Sequence, residues 1–269
     1  MRLLVAGSAA VDAGKTTFSA GLCAATDAVG YKPRAGNDYW YDHDDVLAAL
    51  DERRLYGKDA KRLASASARD VAPEAINPVH RLWLPTPGAG QGMLGREGRA
   101  FAVDRVGLAE ETQFVVNDTV DLPSEVTDGL PLGGAERVDS LPAFNDAMAR
   151  LHRPALDAVA ERIADEERAV VESYADIARP LSGFVPDAVA VVEPRRARIY
   201  RGERYAKACE VASGSAREGQ LEERVSRVVD LIDPVARVEL PALDARTRGE
   251  PARIAAAYAP AYEALLDAT

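Results

Sequence analysis

Cysteine is scarce in this 269-residue chain. There are two, Cys23 and Cys209, far apart and without partner ligands nearby. That excludes a disulfide framework and a cysteine-based zinc site, and makes the reducing cytoplasm the expected compartment. Cys23 falls in a helical pattern and is expected to be a buried small hydrophobe. Long apolar runs are also missing: none approaches the ~20 residues that span a bilayer. The short apolar stretch at the start meets Asp12 and Lys15 at once, unlike a secretory signal, so neither membrane insertion nor export is expected. Positive charge is in deficit, with 43 acidic against 33 basic residues and a net charge of −10. This argues against a general nucleic-acid-binding surface, though a local basic groove is still open. Lysine is rarer still. Only Lys15, Lys32, Lys58, Lys61 and Lys207 occur, and the other bases are arginine. No repeat, heptad or low-complexity segment stands out.

Against these absences stands the run Arg2–Thr17, RLLVAGSAAVDAGKTT. An apolar segment (Leu3–Ala6) leads into a small-residue loop (Gly7–Ala13), and Gly14-Lys15-Thr16-Thr17 opens a helical pattern. Strand, loop, Gly-Lys-Thr and helix are the layout of a phosphate-binding P-loop. Backbone N–H groups at a helix start face an anion. The Lys15 ammonium suits β- and γ-phosphates, and the Thr16 hydroxyl suits Mg²⁺. Gly7, Asp12, Ala13, Gly14, Lys15, Thr16 and Thr17 are therefore candidate nucleotide-binding residues. The strict pattern asks for glycine where Ala9 stands. Either Ala9 tolerates the turn, or a longer loop pivots at Gly7.

The first helix is expected over Lys15–Val29, stopped by Gly30. Tyr31–Gly36 is extended, and helical patterns follow at Val46–Arg54 and Lys58–Ala66. Residues from about 70 to 142 hold many prolines and glycines, the loop Gly88–Gly92, and β-like runs at Val79–Leu84, Arg99–Val106 and Gln113–Val116. They read as an insertion with a small sheet or lid. A long helix is expected over Ala143–Asp165, then buried strands at Arg168–Glu172 and Asp187–Glu193. A helix over Leu221–Ile232, a third strand at Ala236–Leu240 and a closing helix at Pro251–Leu266 complete the pattern. Strands alternating with helices predict an α/β fold: one domain over residues 1–269, with a doubly wound, mostly parallel sheet, flanking helices and the β-containing insertion at about 70–142.

A phosphate loop needs a carboxylate near its metal. Glu172 follows the run Val170-Val171 directly, so it either supports Mg²⁺ or caps its strand. Glu193, at the end of another strand, is a weaker copy. Asp12, inside the loop, is a candidate catalytic or second-substrate residue, or it stabilises the loop. Lys32 is a candidate catalytic lysine that would stabilise charge on a transferring phosphoryl group; a surface lysine is the alternative. Asp38 or Asp42 has the chemistry to hold Mg²⁺ or accept a substrate proton. The alternative is a solvated loop in which Asp44 or Asp45 caps the next helix. Tyr39, Trp40 and Tyr41 form either a stacking face for a substrate or part of the core. His80 and His152 read as structural.

These motifs together resemble the dethiobiotin synthetase branch of P-loop enzymes, in the wider group of MinD, nitrogenase iron protein and cobyrinic acid amidases. The carriers are Asp12-Ala13-Gly14-Lys15-Thr16, Tyr31-Lys32-Pro33 and Val170-Val171-Glu172-Ser173, where the family has Val-Glu-Gly. The resemblance implies that Lys32 meets substrate and phosphate and that Glu172 binds Mg²⁺. It also implies that Pro241-Ala242-Leu243 lies near the adenine. ATP and Mg²⁺ are then the expected cofactors, with Lys15, Asp12 and Lys32 catalytic and Thr16, Glu172 and Asp42 at the metal. The expected activity is an ATPase with phosphoryl transfer or ligase-type activation of a small carboxylate or carbamate. The group often forms dimers, so a homodimer is one expected assembly. No Asn-Lys-x-Asp element follows Glu172, so GTP specificity is not supported. Two other readings stand. Asp12–Thr17 also resembles the loop of RNA 5′-hydroxyl kinases, with Arg195, Arg196, Arg198, Arg201 and Arg204 as a basic groove. A nucleotide-dependent switch that binds a protein partner is the third.

Overall fold

The structure, a computed structural model, describes residues 1–8, 13–86, 98–212 and 223–269. Asp12 and the Gly88–Gly92 loop, both singled out above, lie outside the described residues. Eleven strands are described: β1 (Arg2–Gly7), β2 (Val29–Tyr31), β3 (Arg34–Asp38), β4 (Val79–Pro85), β5 (Arg99–Val106), β6 (Gln113–Asn117), β7 (Glu136–Val138), β8 (Ala169–Glu172), β9 (Ala188–Glu193), β10 (Arg196–Arg201) and β11 (Ala236–Glu239). The chain divides into two compact units. One combines Met1–Pro33, Arg62–Val71 and Ala160–Thr269; the other combines Arg34–Lys61 and Ala72–Val159. Most of the expected insertion falls in the second unit, which reaches further on both sides. Among the described residues no helix is long and apolar enough to cross a membrane.

The first unit holds a six-stranded sheet of order β11-β10-β9-β1-β8-β2. β9, β1, β8 and β2 are parallel. Their sequences explain this. Leu3–Ala6, Ala169–Val171 and Ala188–Val192 are near-continuous apolar runs, all buried, as strands covered on both faces must be. The mostly parallel expectation fails at one edge. Arg196–Arg201, read above only as an arginine cluster, is a strand that turns back antiparallel on β9, with Glu193 opposite Arg196. Ala197 and Ile199 are buried while Arg196 is exposed and Arg198 half-buried, so over these four residues one face is the more open, as strand alternation allows. β11 is the expected third late strand, but it pairs antiparallel with β10. The sheet is therefore mixed.

The second unit holds a five-stranded sheet, β3-β4-β5-β6-β7. β3–β4 and β6–β7 pair parallel, and the central pairs are antiparallel. Val46, Leu50, Leu82, Val103, Val116, Val126 and Leu130 belong to its core.

Helix ends depart from expectation for local reasons. The first helix ends at Thr26, because Asp27 takes the left-handed conformation and its N–H bonds the Cys23 carbonyl. Gly30 is a strand residue instead, and a Cβ there would collide with Leu63. The Ala143–Asp165 helix starts at Leu141 and contains a π-turn, Met148–His152. Pro154 has no N–H for the Arg150 carbonyl, which accounts for the irregular turn. The closing helix is two, Pro251–Ala257 and Ala259–Leu266, broken beside Pro260. Of Leu221–Ile232, residues Val225–Val229 are helical. Asp44 and Asp45 do not cap the helix His43–Asp51 but lie in its first turn, where acids complement the helix dipole.

Candidate functional site

Four parallel strands of the first unit end at one edge, and each delivers a candidate residue there. β1 ends at Gly7, β2 is followed by Lys32, and β8 and β9 end in Glu172 and Glu193. Ligands of open α/β sheets bind at this carboxyl edge. Register makes the grouping specific. Tyr31 pairs with Val171, so Lys32 comes level with Glu172; Val5 pairs with Glu172 on its other side.

The start of the first helix (Lys15–Thr26) is shaped by two glycines with different tasks. Gly14 adopts φ 82° with ψ 12°, and a Cβ there would touch nothing. Conformation, not space, requires glycine at that point. Gly7 is the last residue of β1, and Ala9 lies outside the described residues. A Cβ on Gly7 would lie 2.9 Å from Lys15 Cδ and 3.0 Å from Nζ. Its bare Cα gives room for Lys15 to fold back across the loop entrance. The Lys15 ammonium donates to the Ala175 carbonyl at 2.7 Å. Ala175 has φ 45°, strained for an alanine. It follows Ser173, whose N–H bonds the Val5 carbonyl and whose hydroxyl donates to the Ile177 carbonyl at 2.6 Å. Ser173 thus braces the turn that presents Ala175. Neither role was visible in sequence: Ser173 registered only as a departure from glycine, and Ala175 acts through its backbone.

Glu172 is the centre of the site. It is fully buried. Its Oε1 accepts the Thr16 hydroxyl at 2.8 Å and the Lys32 ammonium at 2.5 Å. Its Oε2 has no solvent contact and no hydrogen-bond partner among the described residues. A buried carboxylate oxygen without a partner is costly, so this oxygen is the open acceptor of the site. Burial, reinforced by the charge of Glu172, pushes the neighbouring Cys23 thiol up. Cys23 is the inert, buried residue expected. Among the described residues no group of three or more His, Cys, Asp or Glu side chains converges.

Other candidates are placed differently. Ala13 is buried, and the Thr17 hydroxyl accepts from Arg62 at 3.2 Å. Glu193 does not copy Glu172: Arg196 and Arg198 both hold it. Burial favours its neutral form, but these arginines and Ser8 outweigh that and hold its carboxyl below the usual range. Ser8, Glu193, Arg195, Arg196, Arg237 and Glu239 line an open cleft of about 570 Å³ beside the loop. Pro241 and Ala242 are exposed and follow β11 at the same edge, three strand spacings, or roughly 14 Å, from β1.

Asp42 belongs to the second unit. Its carboxylate accepts the Asp38 N–H at 3.0 Å and the Lys58 ammonium at 2.9 Å. Asp38 accepts the N–H groups of Trp40 and Tyr41, forming the local turn typical of aspartate. Trp40 and Tyr41 are 71% and 81% exposed, so neither packs in the core. His80 and His152 are buried. Compared with known proteins, the sequence matches no family model and no curated protein.

Proposed function

We propose that this chain is a Mg·ATP-binding P-loop ATPase that transfers a phosphoryl group to, or activates, a small carboxylate or carbamate. The observation that carries the reading is the Glu172 carboxylate, met by the Thr16 hydroxyl and the Lys32 ammonium directly beside the glycine–lysine–threonine turn. Residues 140 and 156 positions apart in sequence make these contacts, and all three are residue types that phosphoryl transfer uses.

The donor set suits Mg²⁺. A hydroxyl and a carboxylate with one oxygen unpartnered among the described residues are hard oxygen ligands. Mg²⁺ keeps several waters and takes substrate phosphates as further ligands. Thr16 and Glu172 would hold it, and when bound it would neutralise charge across the β- and γ-phosphates. Lys15 would exchange the Ala175 carbonyl for phosphate oxygens. Lys32 would stabilise the transferring group. Asp12, by the resemblance of its loop, would face the acceptor.

The RNA-kinase alternative gains little. Arg195, Arg196 and Arg198 pair with Glu239 or Glu193, leaving less positive charge for a phosphate backbone. Calorimetric titration of the full chain with Mg·ATP, followed by assay of phosphate release, tests the proposal. Saturable binding that Lys15→Ala removes is expected; unchanged binding or hydrolysis in that variant refutes it.

A further inference from the structure

The fold gives Glu172 a resident cation. Lys32 Nζ lies 2.5 Å from Oε1, with the two side chains 6% and 0% exposed. Register makes this contact, since β2 and β8 pair up to Tyr31 and Val171. Pro33 follows, restricting the backbone of Lys32. The carboxylate that would hold a metal therefore already faces an ammonium at the oxygen that also accepts the Thr16 hydroxyl.

Two cations at one buried carboxylate repel. That repulsion is stronger in a buried, low-dielectric site than in water. A buried ammonium also cannot leave its partner uncompensated. Its departure is favoured by an anionic ligand within reach of its flexible four-carbon stem. A polyphosphate is such an anion.

We infer that Lys32 is an occluding cation. In the nucleotide-free protein it holds Glu172 and keeps a divalent cation out. An anionic ligand draws the ammonium away, so metal and nucleotide load together instead of metal first. The inference rests on the P-loop reading, but its own content is a competition between Lys32 and a metal for Glu172.

Mn²⁺ binding, followed by loss of the free-ion paramagnetic resonance signal, tests this without reference to turnover. The full chain is used, with and without ADP, correcting for Mn²⁺ held by ADP in solution. Wild type is expected to bind Mn²⁺ at least about tenfold more tightly with ADP than without. Without ADP, Lys32→Met is expected to bind Mn²⁺ at least about tenfold more tightly than wild type. Lys32→Arg keeps the charge and shows no gain, and adding Glu172→Gln to Lys32→Met removes it. Equal nucleotide-free affinity in wild type and Lys32→Met overturns the inference. If Lys32→Met fails to fold by circular dichroism, wild type decides: Mn²⁺ binding as tight without ADP as with it overturns the inference. Failure of the P-loop reading looks different. Wild type would then bind neither ADP nor ATP, while Lys32→Met still gained Mn²⁺.

Discussion

Each unit buries a carboxylate, and the two are treated in opposite ways. Asp104, in the second unit, is closed. Arg81 donates to both its oxygens at 2.7 and 2.6 Å, and His152 Nε2 donates to Oδ2 at 2.7 Å. The Arg81 guanidinium also lies over the rings of Trp83, Phe101 and Phe144. Nearby, buried Arg105 is satisfied by the carbonyls of Leu55, Asn77 and Gly107. Glu172, in the first unit, is open: two donors share one oxygen and the other has no partner among the described residues. A buried carboxylate with both oxygens met helps specify a fold, whereas one with an unmet oxygen at the carboxyl edge of a parallel sheet points to a ligand. The contrast teaches that burial of a charge does not mark a site; its unmet bonding does.

Four experiments break or sharpen this contrast. Asp104→Ala should have the largest effect, removing the buried acceptor that half-buried Arg81 and buried His152 share. A loss of about 3–5 kcal/mol is expected in urea unfolding. A loss below about 1 kcal/mol would mean that the closed network is not structural. Lys15→Ala should lower ATP hydrolysis by about 10²–10³-fold, near 3–4 kcal/mol of transition-state stabilisation. Its melting temperature should stay close to wild type, since the lysine's bond to the Ala175 carbonyl contributes little to the fold.

The third experiment uses pH. Burial alone would raise the Asp104 carboxyl, but Arg81 and His152 outweigh it and bring it to about 2 from an ordinary 3.8. The folded form therefore holds its proton less tightly than the unfolded chain. The resulting stability, about 2 kcal/mol, is fully present above pH 4 and is lost as pH falls through 2. Stability curves of wild type and Asp104→Asn should converge across that window; parallel curves would remove Asp104 as the source. The smallest effect is expected from Ser173→Ala, which loses the bond to the Ile177 carbonyl. About 1 kcal/mol of stability should go, with weaker Mg·ATP binding because the Ala175 turn loosens. An unchanged affinity would detach that turn from the site.

Much of the site was readable because its residues carry chemistry in their order along the chain. Gly14-Lys15-Thr16 announces a helix start, and Val170-Val171-Glu172 a buried strand ending in an acid. Other parts were hidden. The arginines at 196, 198 and 201 looked like a basic groove, because charge masked the alternation of Ala197 and Ile199 within a strand. Gly30 looked like a helix stop, because nothing local shows that Leu63 packs against it. Asp42 was grouped with the metal on composition alone, and Lys58 and the Asp38 N–H take up its carboxylate in the second unit.

The sequence by itself determined the α/β class, the apolar parallel strands and the glycine–lysine–threonine turn. These follow from apolar periodicity, steric demands on φ and the chemistry of neighbouring residues, all of which are local. Only the tertiary structure decided that Lys32 and Thr16 meet on one oxygen of Glu172 and that β10 turns back against the sheet. Each depends on strand register or on packing between segments 140 or more residues apart, or on an edge strand's choice of partner. Such distances in the chain are closed by the burial of the whole core, and no window of sequence contains them.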